Sequence, residues 1–323
     1  MPVAAVIFNP TKIDPVLLRA AVAWAEVVAG WQSSIWLETS VEDAGSGHAR
    51  AAVEQGVDVV IGVGGDGTIR SIAEGLRGTG VPLALAPQGT GNLLARNLNL
   101  PLDNLAESLD TALRGVTRPI DLGIAQLTRE DGEGEERAFL VMAGMGLDAQ
   151  IMATTDAELK RRVGMLAYVQ TGAKAMLAGR RMRLRYQLDD DAFGETKVHT
   201  VLIGNCGSIG GNFYLMPDAA VDDGVLDVFA VRPQGRFGWL RVARQLIVDN
   251  AMIRKLFPNR VPRRSDPQRD VSHQQARRVR MQLRHPEEIE MDGDHLGEIV
   301  ALEVSVDPGG LLVRMPQGWS SAS

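Results

Sequence analysis

A short apolar strand that ends in glycine constrains this chain more than any other feature. Val57, Val59, Val60 and Ile61 lead into Gly62-Val63-Gly64-Gly65-Asp66-Gly67-Thr68, and helical spacing follows at Ile69, Ile72, Ala73 and Leu76. This is the pattern of a buried strand, a glycine-rich turn and a helix. Glycines let backbone N–H groups approach a polyanion, and a following helix N-terminus adds positive potential. Asp66 offers a carboxylate for a metal or a water, and Thr68 a hydroxyl. The loop is not a Gly-Lys-Ser/Thr phosphate loop, nor G-x-G-x-x-G in its dinucleotide setting. Packing alone can also demand such a turn. A second loop argues for more than packing: Pro87-Gln88-Gly89-Thr90-Gly91-Asn92 follows Ala84-Leu85-Ala86 and precedes Leu93-Leu94-Ala95-Arg96. Two such loops on neighbouring strands would flank one crevice at the strand ends, which points to a nucleotide phosphate site.

The pattern around these loops predicts the fold class. Residues 3–8, 34–37, 57–63 and 83–86 are expected strands, and 16–28, 49–55, 69–76 and a segment from Leu93 are expected helices. Such alternation predicts a Rossmann-like parallel sheet with helices on both faces. After Pro119 the pattern changes. Residues 120–125, 139–142, 182–188, 198–203, 226–231, 279–283 and 299–306 are expected strands joined mostly by loops, which predicts an antiparallel β-sandwich domain. Helical patterns over 157–177 and 237–256 interrupt it, and the Pro- and Arg-rich span 257–273 is expected as an exposed loop. The expected division is an α/β domain over 1–118 and a β-sandwich domain over 119–306. The tail from about 307 to 323 is expected to pack back on the first domain and to fray at its end.

Length and composition bound the function. The 323 residues suffice for two domains and a sizeable core. No apolar run reaches the roughly 18 residues of a membrane span, and the N-terminus has the pattern of a first strand rather than a signal peptide. With Cys206 as the single cysteine, no disulfide can form within the chain, and a cytosolic setting follows. Cys206 lies in an apolar β-like run and is expected as a small core residue rather than a nucleophile. The net charge of -6 gives no global case for nucleic acid. Lys and Arg are concentrated in 158–186 and 232–285, which suits an anionic surface or substrate, or solvated helix faces.

Taken together, the motifs resemble the diacylglycerol kinase catalytic family, in its soluble bacterial lipid kinase and sphingosine kinase-like branch. The resemblance spans nearly the whole chain. It is carried by Asn9-Pro10-Thr11-Lys12, Gly64-Gly65-Asp66-Gly67-Thr68, Pro87-x-Gly89-Thr90-x-Asn92 and Ile120-Asp121-Leu122-Gly123. It continues with Gly210-Gly211 before Pro217-Asp218-Ala219, Asp223-Gly224-x-Leu226-Asp227 and Met291-Asp292-Gly293-Asp294. The resemblance implies an active site between an ATP-binding α/β domain and a β-sandwich, with Mg²⁺-dependent transfer of the ATP γ-phosphoryl group to a lipid hydroxyl. It implies ATP contacts from Asn9, Pro10, Thr11, Lys12, Thr39, the loop Gly64, Gly65, Asp66, Gly67, Thr68, Ile69 and Arg70, and Thr90. Asp66 and Asp121 match two acids of a metal–water network near the phosphates. It implies a structural Mg²⁺ held by Asp223 and the carbonyls of Ala220 and Val225, where an ordinary Asp-Gly hairpin turn is the competing reading. Asp294 matches the family's proton acceptor, and Asp292 is expected as an orienting or metal-side acid. The chain departs from the family pattern in four places. Leu93 follows Asn92 where an acid is usual, Arg70-Ser71 replaces Asn-Glu, Ser-Gly is missing after Asn9-Pro10, and Asp294 replaces a glutamate.

The expected partners are a lipid substrate and, through reversible peripheral contact, an anionic membrane surface. A basic helix over 237–256 carrying Trp239 could provide that contact, although a core-facing helix with a solvated basic side fits it slightly better. A homodimer is compatible with the sequence. Two other functions fit parts of the pattern: an NAD kinase-like enzyme, which shares the GGDGT loop, and a catalytically silent lipid-binding or regulatory protein.

Overall fold

The computed structural model describes residues 1–146, 181–208, 215–216, 219–234, 238, 241–242 and 270–319. Four parallel strands form the α/β half: β1 (Ala4–Phe8), β2 (Ile35–Glu38), β3 (Val59–Gly64) and β4 (Leu83–Pro87). They pair in the order β4-β3-β1-β2. β1, β3 and β4 are buried along their whole length, as strands covered on both faces must be. Helices α1 (Pro15–Ala29) and α5 (Leu105–Arg114) cover one face, where Leu18, Val22, Leu109 and Leu113 form a core with Val6, Ile61 and Val63. Helices α2 (Ser46–Glu54) and α3 (Asp66–Leu76) cover the other through Ala49, Ile69, Ile72 and Leu76. Local chemistry fixes the helix ends. Asp14 caps α1 by accepting from Val16 N at 2.8 Å, Pro15 opens it, and Gly30 closes it in the left-handed region.

The strand ends lie level with one another. Phe8 pairs with Glu38 and with Val63, and Gly64 with Pro87, so the four carboxyl ends share one edge. The loops after β3 and β4 therefore project on the same side. Helix α3 starts at Asp66, three residues earlier than the apolar spacing suggested, so the glycine loop itself forms its first turn. The segment from Leu93 is the short helix α4 (Leu93–Asn97). The expected elements omitted α5, which Asn104 caps by accepting from Glu107 N at 3.2 Å.

The remaining strands are β5 (Val116–Thr128), β6 (Gly134–Phe139), β7 (Met142–Met145), β8 (Met182–Leu188), β9 (Gly194–Val198), β10 (Thr200–Gly204), β11 (Leu226–Val231), β12 (Val271–Ala276), β13 (Arg278–Met291) and β14 (Asp294–Met315). Their pairings with one another are antiparallel. Their core gathers Phe139, Met145, Leu184, Val201, Ile289, Met291 and Leu302.

Three sequence expectations change. The strand expected over 139–142 is divided between β6 and β7, because Leu140 and Val141 turn their amides to a buried carboxylate. The loop expected to reach His273 ends earlier, since β12 begins at Val271. The strand expected over 299–306 extends from Asp294 to Met315, passing Gly309 and Gly310 through a register shift. Its far end pairs with β5 and meets β4 at Val313–Leu83, which joins the two halves. The helix expected over 157–177, most of that over 237–256 and the Gly210-Gly211 and Pro217-Asp218 pairs lie outside the described residues.

Candidate active site

The crevice has two walls of different chemistry. The first is built from the ends of the parallel strands. Asn9 follows β1, and its Oδ1 accepts from Thr11 N at 3.0 Å and Thr11 Oγ1 at 2.7 Å. Thr39 follows β2, buried, with N and Oγ1 both donating to Phe8 O. Pro10 is half-buried, while Thr11 and Lys12 are exposed beyond it.

The two glycine loops touch. A Cβ on Gly89 would sit 2.7 Å from Gly65 Cα, a separation that only glycine permits. Asn92 holds the second loop closed: Gly89 N donates to its Oδ1 at 2.8 Å, and its Nδ2 donates to Gly89 O at 2.9 Å. Asn92 itself sits in the left-handed region at φ 47°. Asp66 ties the loops together by accepting from Leu93 N at 2.6 Å. Burial raises the Asp66 pKa against the pull of the Leu93 and Asn92 amides, and the charge of Asp294 raises it further. Thr68 is buried behind Gly64, and Thr90 is exposed at the tip of the second loop. The first-turn amides of α3, at Asp66, Gly67 and Thr68, have no acceptor within the helix.

The second wall consists of turns that carry acids. β13 and β14 are joined by Asp292-Gly293, whose φ values of 50° and 90° make a two-residue type I′ turn. The two acids beside this glycine have opposite surroundings. Asp292 is buried, and its oxygens accept from Leu140 N at 2.8 Å, Val141 N at 2.9 Å and Met142 N at 3.0 Å. Burial pushes its carboxyl up to about 6, although those amides and the Arg70 guanidinium pull the other way. Asp294 is half-exposed, and its Oδ2 lies 3.0 Å from where a Cβ on Gly67 would be. Arg70 Nη2 donates to the same oxygen at 2.7 Å. The fold thus brings Asp294 over the first turn of α3, 224 residues away from Arg70 in sequence. The Ile69 side chain is buried in the core beneath the first glycine loop.

A third group of acids lies near the turn after Val221. Asp121 is buried, with Gly224 N donating to Oδ2 at 2.7 Å and Gly309 N to Oδ1 at 2.8 Å. Asp223 is exposed and accepts from Val225 N at 3.1 Å. Desolvation raises its pKa most, and the charges of Asp227, Asp121 and Asp222 add to that. Among the described residues no ion pair neutralises Asp121, Asp222 or Asp223, and no set of three His, Cys, Asp or Glu side chains could hold a metal. A site here would use one carboxylate and backbone carbonyls, and the uncompensated negative charge suits a hard cation. Cys206 is buried with its Sγ 3.5 Å from Leu140 O, and burial pushes its thiol pKa up, as a core residue requires.

Sequence reasoning missed Arg70 as a partner of Asp294, and Glu74 beside it. Glu74 Oε1 accepts from Arg70 Nη1 at 3.4 Å and from Ala138 N at 3.0 Å.

The chain's sequence and fold are those of a class of lipid kinases. Residues 4–125 match the diacylglycerol kinase catalytic domain, and residues 141–315 match the YegS C-terminal NAD kinase beta sandwich-like domain. The chain belongs to this lipid kinase family, whose members are phosphotransferases with an alcohol as acceptor. It is 30% identical to a diacylglycerol kinase of Bacillus subtilis over 74% of this chain and 77% of that protein. It is 33% identical to a protein of Pseudomonas aeruginosa named "Probable lipid kinase YegS-like", over 93% and 90%. A solved diacylglycerol kinase from Bacillus anthracis superposes with a TM-score of 0.68 at 20% identity, covering 99% of this chain and 98% of that one. An NAD kinase from Archaeoglobus fulgidus shares the fold more distantly, with a TM-score of 0.51 at 12% identity over 98% and 94%.

Proposed function

We propose that the protein uses ATP and Mg²⁺ to phosphorylate diacylglycerol or a related long-chain lipid alcohol. The observation that carries this reading is the approach of Asp294 to Gly67 and the free amides of α3, which puts an acid beside a phosphate-binding helix end. The ATP phosphates lie along Gly64, Gly65, Asp66, Gly67 and Thr68, with Asn9, Thr39 and Thr90 at the rim. Pro10, Thr11 and Lys12 complete that surface, while Arg70, behind the loop, turns its guanidinium to Asp294 and Glu74. Residues 1–118, with 307–323, form the nucleotide half, and residues 119–306 the lipid half.

In the transfer step the lipid hydroxyl oxygen attacks the γ-phosphorus. Its proton passes to the Asp294 carboxylate, and the bond from the γ-phosphorus to the oxygen bridging to the β-phosphate breaks, releasing ADP. Backbone amides hold the phosphates in position, so electrostatic placement supplies most of the rate enhancement. Asp292 orients the turn through the amides of 140–142 and does not itself need to reach the substrate. Bound Mg²⁺ would offset phosphate charge beside Asp66, and a second, structural Mg²⁺ would be held by Asp223 with the carbonyls of Ala220 and Val225.

An NAD kinase that shares the fold distantly was solved in complex with ATP, which supports ATP as the nucleotide here. The lipid substrate itself supports contact with a membrane surface. No helix among the described residues is long and apolar enough to cross a membrane. Transfer from radiolabelled ATP, measured against a panel of lipid alcohols and NAD⁺, tests the reading. Label in a lipid is expected. Label in NAD⁺ alone would make the enzyme an NAD kinase, and no label in any acceptor would leave a silent binding protein.

A further inference from the structure

Arg70 stands between two carboxylates. Nη2 donates to Asp294 at 2.7 Å and Nη1 to Glu74 at 3.4 Å, while Glu74 accepts from Ala138 N at 3.0 Å. The side chain is only 11% exposed, and Nε is buried without an acceptor. These contacts form a relay across the crevice, from β6 through two residues of α3 to the first residue of β14. Asp294 is the most exposed member of that relay. It is 46% exposed, its glycine neighbour supplies no side chain to restrain it, and Arg70 is the only hydrogen-bonding or ion-pair partner of its carboxylate among the described residues.

We propose that Arg70 is a positioning residue that aims the Asp294 carboxylate over Gly67, rather than a direct phosphate contact. This rests on the lipid kinase reading above, with Asp294 as proton acceptor. A planar guanidinium can hold one carboxylate with each terminal nitrogen, so Glu74 fixes its tilt and Asp294 takes its direction from that tilt. Asp294 Oδ1 remains free of Arg70 and open to a substrate hydroxyl. An ammonium in the same place would attract Asp294 as a point charge but could not fix both acids in one plane. A misplaced general base loses rate without losing nucleotide affinity.

The test compares Arg70→Gln, Arg70→Lys, Asp294→Asn and the double variant Arg70→Gln/Asp294→Asn in the full chain. Transfer of label from ATP to diacylglycerol is measured, with melting curves to confirm folding. Arg70→Gln is expected to lower kcat on the order of 10- to 100-fold with the KM for ATP nearly unchanged. Arg70→Lys is expected to recover part of the loss. In the Asp294→Asn background, Arg70→Gln is expected to add little, because the two residues act as one unit. A rise in the KM for ATP with kcat intact would make Arg70 a phosphate contact and overturn the proposal. So would the same fold-loss in both backgrounds, or full kcat in Arg70→Gln. Should Arg70→Gln fail to fold, wild-type kcat in Arg70→Lys would equally overturn it. Absence of transfer in the wild type to any lipid alcohol of the panel would instead remove the lipid kinase reading on which the proposal stands.

Discussion

The two walls of the crevice are built on opposite principles. The α/β wall offers amides: glycines bring the loops within contact of each other, and the first turn of α3 leaves its N–H groups without acceptors. The β wall offers acids at turns: Asp222 and Asp223 before β11, with Asp121 of β5 accepting from Gly224 N beside them, and Asp292 and Asp294 at the β13–β14 turn. Amides suit a phosphate chain, and acids suit a cation or a proton. A kinase needs both at one point, and Asp294 beside Gly67 is where the walls meet. Within the acid wall, position decides role. Asp292 spends its oxygens on three amides and fixes a turn, while Asp294, two residues on, faces the crevice.

Removing the acid at the meeting point should have the largest effect. Asp294→Asn is expected to reduce turnover roughly 10²–10⁴-fold while ATP affinity stays near wild type. Comparable turnover with saturating lipid would take Asp294 out of the mechanism. Damage to the amide wall should show the opposite signature. Gly67→Val adds a branched side chain at a position where even a Cβ would lie 3.0 Å from Asp294, and it crowds the phosphate approach. ATP affinity measured by calorimetry is expected to fall by about tenfold or more, or ~1.4 kcal/mol. Wild-type affinity in this variant would move the nucleotide away from the loop.

The buried acid should matter for stability before it matters for rate. The folded-state pKa of Asp292 is raised to about 6, above its ordinary value of 3.8. Between those two pH values the folded protein binds more protons at this site than the unfolded chain does. The contribution of Asp292 to stability is therefore fully present below pH 3.8 and is lost as pH rises through 6. The span corresponds to about 3 kcal/mol. Relative to wild type, Asp292→Asn should lack this slope in denaturant titrations between pH 4 and pH 6.5. Identical slopes would mean that the amides of 140–142 have already cancelled the burial effect. The smallest effect is expected at the exposed turn. Asp223→Ala should lower the melting temperature by roughly 2–4 °C in Mg²⁺ and remove the stabilisation that added Mg²⁺ gives the wild type. Unchanged melting in both buffers would leave a plain Asp-Gly turn.

The amide wall was legible because its information is local. A strand, its glycine loop and the next helix are contiguous in sequence, and Gly64 to Thr68 and Pro87 to Asn92 carried their geometry in their composition. The start of α3 was placed late because the apolar spacing begins at Ile69, whereas the cap and first turn are polar. Helix α5 escaped notice because Pro101, three residues before its cap Asn104, interrupts the apolar run that continues from Leu93. β6 escaped because Glu135, Glu136 and Arg137 obscure its alternation. The Asp307-Pro308-Gly309-Gly310 segment has the composition of a chain break, yet β14 continues past it. The register shift absorbs the glycines, and Gly309 N finds Asp121. The acid wall was legible only as a set of residue types. That Asp292 is buried while Asp294 is open, and that Arg70 reaches Asp294, depends on contacts between distant segments that no local pattern encodes.

The division into an amide wall and an acid wall is tested most directly by amide hydrogen exchange with and without ATP and Mg²⁺. Ligand amides slow their exchange when a phosphate accepts from them or when binding suppresses local opening. The account predicts protection concentrated at residues 64–70 and 88–93, with residues 181–198 on the far part of the β half unchanged. Protection centred on the β half, or none at the two glycine loops, would contradict it.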